Sequence, residues 1–106
     1  MKGVIKGVLA EELANSLRMK KNYEKELRQL PPGALTVRKI KGHEYYYLAR
    51  RVAGKVRHVY KGKLSPSEKR RYKEIMAARA KYRSLVSQVK KQIKFLRSSL
   101  RGKEAV

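Results

Sequence analysis

Between residues 9 and 30 the chain places Leu9, Leu13, Ser16, Lys20, Tyr23, Leu27 and Leu30 at alternating steps of four and three. Side chains at that period share one face of an α-helix. The pattern therefore predicts a helix over 8–30, with an apolar seam for a partner helix and a polar break in its middle. Pro31, Pro32 and Gly33 end it, because proline cannot continue the backbone ladder and glycine permits a sharp turn. A longer seam runs Tyr72, Ile75, Arg79, Tyr82, Val86, Val89, Ile93, Leu96, Leu100. Ser65, Pro66 and Glu68 supply a cap, a first-turn proline and a capping box before it. A second helix is predicted over 66–101, closed by Gly102.

Between the helices the period changes to two. Residues 34–41, 44–51 and 55–61 read as strands, with Gly42-His43 as the first turn and Val52-Ala53-Gly54 as the second. The predicted fold class is α+β: a helix, a three-stranded antiparallel meander and a long helix, with the two helices forming an antiparallel coiled-coil hairpin. It is read as a single domain over 1–106. With that first turn, Val37 faces Leu48 and Lys39 faces Tyr46. Alternation puts Leu35, Val37, Tyr46, Leu48 and Val59 toward the helices. Arg38, Ile40, Tyr45, Tyr47 and Arg51 take the other face, joined by His58 and Tyr60 if Ala53-Gly54 is the turn.

The first helix would be roughly 35 Å long and the second roughly 53 Å. Paired from the sheet end, the second overhangs, exposing Ile93, Phe95, Leu96 and Leu100. Such a stripe predicts self-association, as a homodimer through the C-terminal helix, or a protein partner. Arg79, a cation in the seam, is read as structural, snorkelling or pairing with Glu24 or another acid of the first helix.

Charge sharpens the functional reading. The 106 residues hold 29 Lys and Arg against 8 Asp and Glu, a net charge of +21. So much like charge destabilises a compact state unless polyanions screen it, and nucleic acid is the usual polyanion. Within 34–63 nine basic residues accompany one acid, Glu44. Tyrosines beside cations suit stacking on bases or entry into a DNA groove. The candidate nucleic-acid contacts on the first hairpin are Arg38, Lys39, Lys41, His43, Tyr45 and Tyr47. Those that follow are Arg51, Lys55, Arg57, His58, Tyr60 and Lys61. On the second helix, Lys90, Lys94, Arg97 and Arg101 form a basic stripe scarcely compensated by acids. DNA is favoured over RNA.

Other classes are set aside on composition. Between 31 and 103 the acids are Glu44, Glu68 and Glu74, and no paired carboxylates, phosphate loop or Ser–His–Asp set appears. His43 and His58 read as surface or phosphate-contacting groups. There is no cysteine, hence no disulfide or thiolate metal site. No enzyme activity, catalytic residue, cofactor or metal is expected. Glu11 and Glu12 interrupt the N-terminal apolar stretch before a signal peptide forms, and no stretch is apolar enough to span a bilayer. A cytoplasmic protein without membrane contact is expected.

The segment "LPPGALTVRKIKGHEYYYLARRVAGKVRHVYKGKLSPSE", residues 30–68, resembles an uncharacterised family of small basic prokaryotic proteins. These have a helix, a hairpin region patterned G-x-L…IKG-x-x-YYY…GKV…Y-x-GK, and a long second helix. The resemblance covers nearly the whole chain and implies no settled activity. At "RRVAGKV" the family more often has an acid and two glycines. The middle also locally resembles the three-stranded arm-site DNA-binding domains of tyrosine recombinases, in which a similar meander enters the major groove. A second functional class stands beside nucleic-acid binding: an antitoxin or regulatory subunit of an acidic partner enzyme, itself able to bind DNA.

Overall fold

The structure, a computed structural model, describes residues 2–104, with side chains described over 3–102. Its elements are α1 (Lys2–Gln29), β1 (Ala34–Ile40), β2 (His43–Val52), β3 (Lys55–Gly62) and α2 (Pro66–Glu104). This is the expected α+β fold. The chain divides into two compact units: residues 1–29 with 80–106, and residues 30–79.

The first unit is an antiparallel helix pair. Every seam position of α1 is buried or half-buried, as are those of α2 from Tyr82 to Leu100. Val86, Val89, Ile93 and Leu96 form its core. Tyr23 packs on Tyr82 with ring centroids 6.3 Å apart. Ser16, the polar break, is wholly buried. A buried hydroxyl needs a partner, and Gln92 Nε2 donates to Ser16 Oγ at 2.9 Å. One such polar pair in an apolar seam fixes how the helices slide along each other.

The expected overhang is corrected here. Ile93 and Leu96 are each 6% exposed and Leu100 is half-buried, leaving Phe95 alone of the four at the surface, 68% exposed. Two causes combine. Helix α1 starts at Lys2 rather than Val8, and the pairing runs from Tyr82 onward because residues 66–79 belong to the other unit. Helix α2 also continues through Gly102 to Glu104.

The second unit carries the sheet, in the order β1-β2-β3, all antiparallel. Its turns are Lys41-Gly42 (φ 52° and 80°) and Ala53-Gly54 (φ 52° and 79°). Two successive positive φ values mark the turn whose twist matches that of a hairpin. The first turn thus lies one residue before Gly42-His43. Leu35 faces Leu48, Val37 faces Tyr46 and Lys39 faces Glu44. The pairing has moved by two residues, and because strand side chains alternate with period two, no side chain changes face. The second turn is Ala53-Gly54, as the tyrosine placement requires. Tyr47 pairs Tyr60 but Tyr46 pairs Gly62, so Lys61 is the extra residue of a β-bulge.

Tyr46 anchors the covered face. It is buried, donates its hydroxyl to Glu44 Oε2 at 2.8 Å, and has Lys69 Nζ of α2 5.3 Å from its ring centre. Leu35 and Leu48 are half-buried, whereas Val37 and Val59, expected beside them, are 52% and 41% exposed. A helix about 10 Å across reaches outer strands about 4.8 Å to either side only in part. Leu35, on β1, sits two residues from Gly33, whose carbonyl Arg79 of α2 holds, while Val37 and Val59 lie farther along their strands. Gly33 packs on Leu48: with φ 104°, an added Cβ would sit 2.9 Å from Leu48 Cγ. Arg79 donates to the carbonyls of Gly33, at 2.6 Å, and Pro31. Its role is structural, as expected, with backbone carbonyls of its own unit as partners; the Glu24 carboxylate takes Lys20 at 3.1 Å. Ser65 caps the helix as expected, its Oγ accepting from the Glu68 N–H at 3.3 Å, but the Glu68 carboxylate takes the Ser65 hydroxyl, at 3.0 Å, in place of the backbone N–H of a capping box. No helix among the described residues is long and apolar enough to cross a membrane.

Two stability measurements check this picture. Ala53→Asn should raise the urea-unfolding free energy by up to about 1 kcal/mol, because Asn tolerates positive φ and Ala does not, while Ala53→Val should lower it. Arg79→Met should cost about 2 kcal/mol by orphaning two carbonyls, and Arg79→Lys should recover only part, since one ammonium lacks the two-pronged reach.

Candidate nucleic-acid interface

The open face of the sheet follows from the period-two alternation. Strand β2 presents His43, Tyr45, Tyr47, Ala49 and Arg51 on one side. Strand β1 adds Thr36, Arg38 and Ile40, and strand β3 adds Val56, His58 and Tyr60. The Tyr45 and Tyr60 ring centres are 6.4 Å apart with a 34° tilt. Those of Tyr47 and Tyr60 are 5.3 Å apart with a 55° tilt. These are ordinary packing distances for aromatic pairs, so the rings hold one another in place. With Ile40 they line a shallow recess of about 410 Å³. The Arg38 guanidinium carbon lies 5.4 Å from the Tyr47 ring centre, a cation–π contact that sets a positive charge at its edge. Tyr60 is 57% exposed. Apolar ring faces, hydroxyls and cations converge on the sheet face opposite the one on which Lys69 of α2 meets Tyr46.

The expected contacts divide between two faces. Arg38, His43, Tyr45, Tyr47, Arg51, His58 and Tyr60 share the ring face. Lys39, Lys55 and Arg57 alternate onto the opposite face with Arg50, and their cross-strand partners place them there. Lys41 sits in the first turn and Lys61 in the bulge. Positive charge thus lies on both faces of the sheet, and the rings are what distinguish one from the other. The sheet's one acid, Glu44, is on the covered face and is engaged by Tyr46.

The helix pair carries its own basic surface. Lys90, Lys94, Arg97 and Arg101 line a groove of about 610 Å³ whose floor is Leu17, Ile93 and Leu100. Lys20 of α1 completes it. Among the described residues, Lys90, Lys94 and Arg97 have no carboxylate within ion-pairing distance, and Arg101 donates to Ser98 Oγ at 3.4 Å. At positions 90, 94, 97 and 101 the cations recur every 4.5–6 Å along the axis (about 1.5 Å per residue). A helix solvated for its own sake mixes signs at that spacing.

The seam pattern makes Lys20 a polar break between helices, whereas the structure makes it part of this groove. A lysine at a seam position is the one sequence signal that marks it, since its neighbours in space lie some 70 residues away along the chain. No group of three or more His, Asp and Glu side chains suited to a metal occurs among the described residues.

Because Lys94 has like-charged neighbours at 90, 91 and 97, Lys94→Gln should stabilise the protein in dilute buffer by about 1 kcal/mol. The gain should vanish in concentrated salt, where surface charges are screened. Thermal unfolding followed by circular dichroism in both buffers checks it.

Among known proteins, a family model described as Domain of unknown function (DUF6788) matches residues 6–71. No curated protein and no solved structure matches the chain.

Proposed function

The chain belongs to the DUF6788 family, and from the interface described above we propose that it is a non-enzymatic nucleic-acid-binding protein working in the cytoplasm. DNA is the polymer favoured, in keeping with the local resemblance of the meander to arm-site DNA-binding domains. The observation that carries the reading is the ring recess with Arg38 at its edge, on a sheet face whose strands place no carboxylate there. Rings offer a surface for bases, and the cations on both units offer partners for phosphates. In this scheme the sheet recognises, and the stripe Lys90, Lys94, Arg97 and Arg101 holds the backbone without regard to sequence. Neither role asks for a cofactor or a metal.

The protein-binding alternative, an antitoxin or regulatory subunit of an acidic enzyme, has less support. Three of its four expected contact residues, Ile93, Leu96 and Leu100, serve the helix pair itself, which leaves Phe95. Association of a homodimer through that end loses the same three residues.

Binding of a mixed-sequence DNA fragment, followed by fluorescence anisotropy across a salt series, tests the proposal. The logarithm of affinity should fall linearly with the logarithm of salt concentration. Arg38→Ala and Lys94→Ala should each reduce that slope by about 1 while circular dichroism stays unchanged. Affinity indifferent to salt, or no association in dilute buffer, contradicts it.

A further inference from the structure

The recess on the sheet is chemically narrower than a general polyanion surface. Its lining is Ile40, Tyr45, Tyr47 and Tyr60, with no carboxylate and no amide. Two ligand chemistries favour clusters of tyrosines: cations, which sit over ring faces, and flat π-systems, which stack on them. Arg38 already occupies a place at the Tyr47 ring, and Arg51, His43 and His58 share the face. A cationic ligand would enter against that charge with no acid to offset it. The occupant is therefore a flat ring carried by an anion.

The geometry sets how such a ring is held. Sandwiching a base between two side-chain rings needs about 7 Å, twice the contact distance of carbon atoms. The Tyr47–Tyr60 and Tyr45–Tyr60 separations of 5.3 and 6.4 Å are too short, and their tilts of 55° and 34° are not those of parallel walls. A base instead lies on the open side of the recess, against the exposed face of Tyr60, with Ile40 as its apolar border. That arrangement requires a base whose face is free. In a duplex both faces of each internal base are covered by its neighbours, and a groove presents base edges, which are read by forked or bidentate groups. The recess lining provides none of these, and the nearest fork, Arg38, stands beside it, held at the Tyr47 ring.

We infer that the Tyr45–Tyr47–Tyr60 recess is a stacking site for an unpaired base, so that the protein binds single-stranded in preference to double-stranded nucleic acid. The inference rests on the nucleic-acid reading above and specifies the polymer's state. Arg38, at the recess edge, faces the phosphate adjoining the stacked base. The groove on the helix pair contributes salt-dependent affinity to either form.

The test uses the full chain and three probes of one sequence: a single-stranded oligodeoxynucleotide, its hairpin duplex, and the single-stranded RNA. Affinity is read by anisotropy at one fixed salt concentration, and stacking by quenching of intrinsic tyrosine fluorescence, which no tryptophan obscures. The single strand should bind at least tenfold more tightly than the duplex and quench tyrosine emission. Tyr60→Leu should weaken single-strand binding roughly tenfold and duplex binding several times less, while Tyr60→Phe should keep most of the single-strand affinity. Circular dichroism confirms that both variants fold. Should RNA bind as well as single-stranded DNA, the stacking site stands and does not read the sugar. Duplex binding that equals single-strand binding and ignores Tyr60→Leu would overturn the inference while leaving the salt-dependent nucleic-acid reading intact. Failure of all three probes to bind in dilute buffer would overturn both.

Discussion

The constraint that shapes this protein is the mutual repulsion of 29 basic side chains answered by 8 acidic ones. Internal compensation is thin. Lys20 and Glu24 pair on one helix, where an exposed ion pair contributes well under 1 kcal/mol, and Glu44 is engaged by a tyrosine rather than a cation. A chain this short buries only a modest share of its surface, so hydrophobic burial leaves little margin for unrelieved repulsion. The fold responds by pinning itself with specific polar contacts: Ser16 with Gln92, Arg79 with two linker carbonyls, Ser65 with Glu68. The remaining positive charge is directed outward, where an external polyanion can meet it.

Under the proposed function each unit would offer a polyanion something different. The helix pair presents regularly spaced cations above an aliphatic floor, a surface suited to a phosphate chain and indifferent to bases. The sheet presents rings that hold one another at fixed tilt, with guanidinium groups beside them. Charge on the sheet does not choose a face, because Lys39, Arg50, Lys55 and Arg57 lie opposite the rings. On the proposed reading the division of labour is chemical: cations supply attraction on every side, and tyrosines supply a preferred place to dock.

Much of this architecture was legible in the sequence, and the exceptions have identifiable causes. The alternating three-four steps marked the positions of both helices that become buried, since burial on one face is what imposes that period. The start of α1 was hidden: Gly3 and Gly7 weaken the helical signal, and no acid stands in its first turn. The first turn slipped by one residue because a lysine at positive φ announces nothing, whereas Gly42 fits either position. The faces of the sheet survived that slip because it moved the pairing by two. The exposure of Val37 and Val59 depended on how far one helix reaches across three strands, a quantity no local pattern encodes. The groove containing Lys20 joins segments remote along the chain, and a single sequence gives little access to that distance.

The central claim is that nucleic acid relieves a charge imbalance which the fold cannot relieve alone. Its most direct measure is the unfolding temperature in dilute buffer, compared with and without an equimolar single-stranded oligonucleotide, with sodium chloride of matched ionic strength as the reference. Binding to the folded state alone must raise that temperature. The account predicts a rise well beyond that produced by the chloride reference. An oligonucleotide that leaves the transition where chloride leaves it would contradict the account.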